Sequence, residues 1–169
     1  IMAIVITWQT KYADLEPEVN RSRCLYFSAM HVQGKENKDW NNFGKPSAAF
    51  MKECIQPLPE VEACTAFSTA DVALVSLTDG NNRLKVDAMS TDPDFWKIFK
   101  LQFLDGKSFT EAERGGDMQS VVISASVARK LFGTTEAAGR QMLLNREVVR
   151  IIGVVKDISV TACLLYTSD

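Results

Sequence analysis

Apolar residues recur along the chain in short runs that polar turns separate, and the spacing within each run predicts an element. From Arg83 to Met89 apolar and polar residues alternate, which predicts a strand with one buried face. The unbroken apolar run from Val121 to Ile123 predicts a buried strand. Further strands are predicted from apolar and β-prone runs at residues 24–32, 61–68, 71–77, 141–144 and 148–155.

Short helices are predicted where apolar residues fall near helical spacing and the flanking residues can begin or end a helix. The first begins at Pro46-Ser47 and runs for about ten residues. The second follows Ser90-Thr91-Asp92, whose side-chain oxygens can cap it, and Pro93 fits its first turn. Its aromatic residues are expected in the core. The third covers residues 127–132, with capping by Ser124 to Ser126 and a left-handed cap at Gly133.

Turn signals join these elements and set their order. Asp79-Gly80 between two apolar runs is a strong hairpin signal, and turns are also predicted at residues 105–107 and 145–147. Residues 34–45 are predicted to form a polar loop. The order of the elements predicts an α+β fold with mixed, mostly antiparallel sheets, short helices packed on one face, and two small lobes.

Composition supports a folded domain and narrows the function classes. The chain has 169 residues, of which 46% are hydrophobic and 24% are charged, and this is ordinary for a soluble globular domain. The apolar residues are spread along the whole length, which argues against disorder. A net charge of −2 gives no basic surface for nucleic acid.

Motifs for enzyme chemistry are absent from the sequence. It contains no G-x-x-x-x-G-K-[ST] phosphate loop, no G-x-G-x-x-G after a strand and no G-x-S-x-G. The single histidine, His31, lies in an aromatic strand, away from any evident nucleophile or orienting group. The acidic pairs Asp92/Asp94 and Glu111/Glu113 are interpreted as helix-start and loop charges. We therefore predict no catalytic, cofactor-binding or metal-binding residues and no cofactor.

The cysteines Cys24, Cys54, Cys64 and Cys163 are too far from one another and from His31 to suggest a zinc site. Buried free thiols are the simplest interpretation. A disulfide such as Cys54–Cys64 stays open if the compartment is oxidising.

The first residues read IMAIVITW, which is apolar but too short to cross a bilayer, since a spanning helix needs about 20 residues. Two interpretations fit this segment. It is either an ordinary first strand or helical turn, or the end of a transmembrane helix with Trp8 and Tyr12 at the membrane interface.

From Val86 onward the order of motifs resembles the extracytoplasmic, MacB-like periplasmic core domain of MacB/FtsX-type ABC transporter permeases. Each motif alone is weak, but together and in order over about seventy residues they are fairly specific. The matching stretches are Val86-Asp87, Asp92 to Phe95, Leu104 to Thr110, Val121 to Ser124, Ala128 to Gly133, Gly139 to Met142 and Val149 to Asp157.

The resemblance implies a non-catalytic domain on the periplasmic side of the bacterial inner membrane, inserted between the first two transmembrane helices of a permease. It implies an ABC ATPase as a separate subunit or domain, a homo- or heterodimeric permease, and a periplasmic membrane-fusion protein or lipoprotein as a partner. The domain would couple helix motion to export or to periplasmic proteins. Gly106, Gly133 and Gly153 match structural positions only. The alternative is a stand-alone α+β binding module, secreted or held at the surface, and an enzyme is the weakest hypothesis.

The same resemblance divides the chain into segments. Residues 1–11 would be the outer end of the first transmembrane helix, and residues 12–162 would be the periplasmic core domain, incomplete at its C-terminal side. Residues 163–169 read CLLYTSD, which looks like translated sequencing adapter and is predicted to be non-native.

Overall fold

The computed structural model describes residues 30–33, 41–44, 46–68, 71–110, 118–157 and 164–168. The first elements are β1 (Met30–Gln33) and β2 (Asn41–Gly44), which pair antiparallel in a sheet of their own. The predicted strand 24–32 overlaps β1, and its first six residues lie outside the described part. The loop prediction for 34–45 is wrong at β2, because pairing with β1 satisfies the backbone although the side chains of Asn41 and Asn42 are poor strand formers.

The first predicted helix is present. Helix α1 (Ala48–Phe50) begins after Pro46 and continues as a π-helical turn at Met51–Ile55. The Ser47 Oγ accepts a hydrogen bond from the Phe50 N–H at 3.1 Å, so a serine cap starts the helix as its sequence predicts. The π-helical winding of the last turn was not predicted.

The other strands form one seven-stranded sheet with the order β5-β8-β6-β9-β4-β3-β7, and β7 also pairs with β8. Six strands therefore make a closed circuit of hydrogen-bonded neighbours, with β5 added along part of β8. Among the strand pairs of the described residues, only β4–β9 and β6–β8 are parallel, which confirms the predicted α+β class with mostly antiparallel pairing. The strands are β3 (Asp71–Ser76), β4 (Leu84–Thr91), β5 (Phe103–Gly106), β6 (Ser120–Ser124), β7 (Gln141–Leu144), β8 (Glu147–Val155) and β9 (Leu164–Ser168).

Two further stretches differ from their predicted structure. Residues 61–68 are not a strand, and only an isolated bridge joins Phe67 to Thr91. Their hydrogen bonds go instead to the Asp92 carboxylate and to Ser90. Strand β5 occupies residues where only a turn at 105–107 was predicted, because four residues that end in Asp-Gly carry a stronger turn signal than strand signal.

The remaining helices are short and lie close to their predicted positions. Helix α2 (Phe95–Ile98) is a single turn, and helix α3 (Ala125–Phe132) starts two residues before its predicted range. Gly133 ends α3 with φ 75° and donates its N–H to the Arg129 carbonyl at 2.9 Å. The predicted left-handed glycine cap is therefore confirmed.

Strand β6 separates two hydrophobic clusters. Its five residues are all buried, and Val121 and Ile123 pack into a cluster with α3, β3, β7 and β8, whereas Val122 packs into an aromatic cluster with α2. Alternate residues of a strand point to opposite faces, so one strand contributes to both. Burial of a Val or Ile side chain stabilises the fold by about 1.5–3 kcal/mol.

The outer side of the β3–β7–β8 region is apolar and exposed. Val72 on β3 is 71% exposed, and Leu74 and Val148 are also exposed. Beyond β7 the edge of β3 is covered by the β7–β8 turn, where the Asn145 side chain accepts a hydrogen bond from the Leu74 N–H at 2.9 Å. The Asn145 N–H in turn donates to the Leu74 carbonyl at 2.8 Å. This amide side chain extends the pairing of β3 by one residue past the end of β7.

Candidate functional site: the carboxylate junctions

Three of the stretches that match the family each contain an aspartate that accepts a hydrogen bond from a backbone N–H far away in the sequence. These residues are Asp92, Asp105 and Asp157, and their partners lie 26 to 33 residues distant. A carboxylate that accepts N–H bonds holds two segments together with charge-assisted hydrogen bonds, which are stronger than neutral ones. We call these contacts the carboxylate junctions.

The Asp92 junction joins the segment before β3 to the start of α2. Its Oδ1 accepts hydrogen bonds from the Thr65 hydroxyl at 2.5 Å and from the Phe95 N–H at 3.1 Å. Its Oδ2 accepts one from the Ala66 N–H at 2.8 Å. Of the three predicted capping residues Ser90 to Asp92, Asp92 thus caps α2. It also anchors residues 65–66, which the sequence did not indicate.

The anchored segment places Phe67 on the aromatic cluster. The Phe67 ring centroid lies 5.7 Å from that of Phe95 and 5.9 Å from that of Phe99, both edge to face. Trp96 packs against Phe95 at 5.2 Å and against Phe109 at 5.3 Å. Edge-to-face pairs at these distances are favourable, and the prediction that the α2 aromatics belong to the core is confirmed.

The Asp105 junction lies where β5 crosses β8 at two glycines. The Asp105 Oδ2 accepts a hydrogen bond from the Ala138 N–H at 2.8 Å, and Gly106 pairs with Gly153. A Cβ on Gly106, which has φ +67°, would lie 2.1 Å from the Ile152 carbonyl oxygen. A Cβ on Gly153 would lie 2.4 Å from the Lys107 carbonyl oxygen. These backbones approach closely only because both residues lack a side chain.

The Asp157 junction joins the end of β8 to the start of α3. The Asp157 Oδ1 accepts hydrogen bonds from the Ser126 N–H at 2.9 Å and from the Ser126 hydroxyl at 2.5 Å. Its Oδ2 lies 3.6 Å from Arg129 Nη1. Ser124 occupies the N-cap position but makes no side-chain capping bond. The predicted capping by Ser124 to Ser126 is therefore wrong, because the Asp157 carboxylate, two residues past the end of β8, takes the N–H that a cap residue would bind.

The other end of α3 is also held from outside the helix. The Asn82 side-chain amide donates a hydrogen bond to the Leu131 carbonyl at 3.1 Å, and Asn82 belongs to the β3–β4 turn with φ 52°. Helix α3 is therefore fixed at its start by β8 and at its end by the β3–β4 hairpin. No single sequence motif signals this, since the contacts span 49 and 31 residues.

The cysteines do not form a reactive site in the described residues. Cys54 and Cys64 are both free thiols, Cys54 exposed and Cys64 partly buried. The prediction of a buried thiol is wrong for Cys54, because the π-helical turn that carries it has no buried residues. Burial, and then the negative charges of Asp92 and Asp94, raises the pKa of the Cys64 thiol. Cys64 is thus held in its protonated, less nucleophilic form.

The described ranges contain neither a metal-binding cluster nor a membrane-spanning helix. Within them no group of three or more His, Cys, Asp or Glu residues is placed to hold a metal ion. None of the helices there is long and apolar enough to cross a membrane. His31 lies on β1 opposite Phe43. Glu111 and Glu113, and the segment 1–11, lie outside the described residues.

The family model of the MacB-like periplasmic core domain matches residues 1–165. The chain belongs to this family. Three of the stretches that suggested the resemblance, at residues 92–95, 104–110 and 149–157, carry the carboxylate junctions and the glycine crossing. A MacB-like periplasmic core domain is the periplasmic part of an ABC transporter permease.

Curated relatives include two proteins named macrolide export ATP-binding/permease protein MacB. The one from Wolinella succinogenes is 26% identical over 110 residues, covering 65% of this chain and 17% of the relative. The one from Chromobacterium violaceum is 36% identical over 62 residues, covering 37% of this chain and 10% of the relative. The chain thus matches less than a fifth of the length of these MacB proteins.

Solved structures support the fold. The extracellular domain of the noncanonic ABC-type transporter YknZ from Gram-positive bacteria superposes with a TM-score of 0.56 at 21% identity, covering 67% of this chain and 57% of that one. The periplasmic region of MacB from Actinobacillus actinomycetemcomitans gives a TM-score of 0.57 at 20% identity, covering 67% and 50%. At this identity the likeness concerns the fold alone.

Proposed function

We propose that this periplasmic core domain is non-catalytic and couples the motion of transmembrane helices in an ABC permease to substrate export or to periplasmic partner proteins. The proposal rests on the structural role of three aspartates in the stretches that match the family. Asp92, Asp105 and Asp157 all bind backbone N–H groups of other segments, so the motifs serve to join elements together.

A domain joined in this way is suited to move as one body. The strands of the large sheet form a closed circuit, and β6 contributes to both hydrophobic clusters. Helix α3 is attached at both of its ends. The described elements of the large sheet are therefore all connected to one another. Packed interiors transmit displacement with little deformation, and rigid-body rotation is a common form of coupled transition. Motion imposed at one side of the sheet would therefore reach the other side.

The proposal extends to the rest of the transporter. The domain would face the periplasm from the bacterial inner membrane, with residues 1–11 as the outer end of the first transmembrane helix. An ABC ATPase would supply the energy, and the relatives named as ATP-binding/permease proteins support this. A dimeric permease and a periplasmic membrane-fusion protein or lipoprotein complete the proposed partners.

We also propose that residues 163–169 derive from sequencing adapter and are non-native. These residues include β9, which pairs with β4 and β6 through backbone atoms. Ladder hydrogen bonds do not depend on side-chain identity, so the pairing is compatible with either origin. The nucleotide sequence decides between them: adapter sequence running on past the Asp169 codon supports the proposal, and unrelated codons contradict it.

The coupling function is tested by hydrogen exchange in the full-length permease with its ATPase, reconstituted in nanodiscs. We expect the amides of this domain to exchange differently in the nucleotide-free state and in the state trapped with ATP and vanadate. A transporter whose ATPase phosphate-loop lysine is replaced by alanine provides the control, because it should show no difference. Equal exchange across residues 71–157 in both states of the wild type would contradict coupling.

A further inference from the structure

Strands β3 and β4 carry four side chains on the side of the large sheet that faces away from the cluster around α3. Val72 on β3 is 71% exposed and Leu74 is 41% exposed. In the antiparallel register Val72 lies opposite Asp87 of β4, and Leu74 lies opposite Lys85. Opposite residues of an antiparallel pair point to the same side of the sheet. We call the surface of these four residues the β3–β4 face.

The buried side of the same two strands holds this face in place. Ala73 and Val86 pair with each other between the two outward rows, and both are buried in the cluster around α3. Because alternate residues of a strand point to opposite sides, their burial directs Val72 and Leu74 outward. A slip of one residue would exchange the two sides of the sheet, so the core keeps the four outward residues in this arrangement.

The β3–β4 face is apolar along β3 and carries one charge of each sign along β4. Lys85 and Asp87 are two residues apart, which places their positions on the strand about 7 Å from each other. Neither residue makes an ion pair with another described residue. A two-fold rotation that reverses the strand direction exchanges the two rows of the face. Lys85 of one copy then meets Asp87 of the other, and the reciprocal contact forms at the same time.

We propose that the β3–β4 face binds the same face of a second copy of this chain, with the strands of the two copies running in opposite directions. The charge pattern selects this arrangement. If the strands ran the same way, each charge would face either its own kind or an apolar side chain of β3, and like charges brought together oppose association. The reversed arrangement gives two ion pairs beside two Val72–Leu74 contacts.

The small size of the β3–β4 face sets the strength of the dimer. A stable interface buries about 800 Å² on each partner, and four residues supply only part of such an area. We therefore expect the 169-residue chain to dimerise weakly, and salt to weaken the dimer further because the ion pairs are exposed. The biological setting rests on the proposed dimeric permease, in which two copies held in one assembly would meet at millimolar effective concentration.

Charge reversal tests the contact, with sedimentation equilibrium of the chain in low salt as the measurement. Lys85→Glu gives an acidic face and Asp87→Lys gives a basic one, so each variant should bind itself about tenfold more weakly than the wild type. An equal mixture of the two variants, and the double variant, should recover the wild-type association. Lys52→Glu makes the same charge change outside the large sheet and should have no effect. Circular dichroism checks that every variant is folded.

Cysteine cross-linking tests the direction of the strands. Val72→Cys and Leu74→Cys are made separately in a chain whose four native cysteines are replaced by serine. The reversed arrangement brings position 72 of one copy to position 74 of the other. With copper–phenanthroline as the oxidant, a mixture of the two variants should therefore form more disulfide-linked dimer than either variant alone. Equal or greater cross-linking within a single variant would contradict the reversed arrangement.

Other results would overturn the inference as a whole. A wild-type chain that stays monomeric at millimolar concentration has no such interface. Association that Lys85→Glu leaves unchanged, or that the mixture does not restore, belongs to another surface. Binding of the monomer to phosphatidylglycerol vesicles, lost in Leu74→Asp, would assign the β3–β4 face to a lipid surface instead.

These outcomes are separate from those of the coupling function. Failure of the dimer contact leaves coupling standing, because coupling is tested by nucleotide-dependent hydrogen exchange in the permease. A permease without that exchange response, together with charge-dependent dimers of the chain, would overturn coupling and leave the β3–β4 interface in place.

Discussion

At the scale of single residues, the most constrained positions are those where two backbones nearly touch. Gly106 and Gly153 face each other at the β5–β8 crossing, where an added Cβ on either residue would meet a carbonyl oxygen. Gly133 is different, since it needs a left-handed backbone but has open space around it. A side chain would therefore meet steric crowding at Gly153, backbone strain at Gly133, and both at Gly106.

Alanine substitutions at these glycines should lower the free energy of unfolding in a fixed order. Gly133→Ala should cost about 1 kcal/mol, the strain of a left-handed backbone. Gly153→Ala should cost about 3 kcal/mol, because the backbone carbonyl it meets cannot move aside. Gly106→Ala combines both effects and should cost about 4 kcal/mol. Urea titration of the chain followed by circular dichroism measures the order, and a Gly133 variant as unstable as the Gly106 variant would contradict it.

Thr91 offers a stabilising change. Its side chain is 2% exposed, and its hydroxyl has no hydrogen-bond partner in the described part of the chain. Burying an unsatisfied hydroxyl carries a desolvation cost, so Thr91→Val, which keeps the shape, should raise the free energy of unfolding by about 1 kcal/mol. Ser90→Ala is a neighbouring control on the same strand. A loss of stability in Thr91→Val would show that the hydroxyl is satisfied.

At the scale of elements, local patterns predicted some elements well and missed those that depend on remote partners. Strands β4 and β8 and helix α3 were predicted because residues within each element show the apolar spacing or the terminal glycine that defines it. Strand β2 was missed, and 61–68 was wrongly predicted as a strand. Their conformations are set by β1 and by the Asp92 carboxylate, and neither contact leaves a local signal.

The candidate site shows the same division. The sequence indicated that an oxygen of Ser90, Thr91 or Asp92 caps α2, because such side chains just before an apolar turn are a common start signal, and Asp92 does so. It could not indicate that Asp157 caps α3 from another element, since 31 residues separate donor and acceptor. Single-sequence patterns contain spacing along the chain, whereas junctions depend on distances in space.

The Asp92 junction predicts a local effect at the element it anchors. Asp92→Ala removes the acceptor for the Thr65 hydroxyl and the Ala66 N–H, which should lower the free energy of unfolding by about 3 kcal/mol. Thr65→Val loses only one of these bonds and should cost about 1 kcal/mol. Hydrogen exchange should be fastest at Ala66 in the Asp92 variant. Equal stability of the two variants would show that the Asp92 bonds to the Ala66 and Phe95 N–H groups add nothing to the Thr65 bond.

At the scale of the whole molecule, β6 determines whether the two hydrophobic clusters behave as two lobes or as one unit. Val122 belongs to the aromatic cluster, and Ile123, the next residue, belongs to the cluster around α3. Because one strand supplies both clusters, its displacement would open both at once. We therefore expect one cooperative unit within the large sheet.

Ile123→Ala tests this expectation. The substitution should lower the free energy of unfolding by about 2–5 kcal/mol, the usual cost of a large-to-small change in a core. In a background where Trp8 and Trp40 are replaced by Phe, the fluorescence of Trp96 reports on the aromatic cluster, to which Ile123 does not belong. Coincident unfolding by fluorescence and circular dichroism is expected, and separate midpoints would indicate two lobes.

The β7–β8 turn covers the edge of β3, but the ribosome makes this turn long after it makes β3. Asn145 is 71 residues after Leu74, so at synthesis rates of 5–20 residues per second the edge of β3 waits about 4–14 s for its neighbour to be made. Throughout that interval a strand with outward Val72 and Leu74 side chains has an unpaired edge. Such edges invite pairing with other chains. The nascent chain thus has a window of seconds in which this edge is open to pairing with other chains.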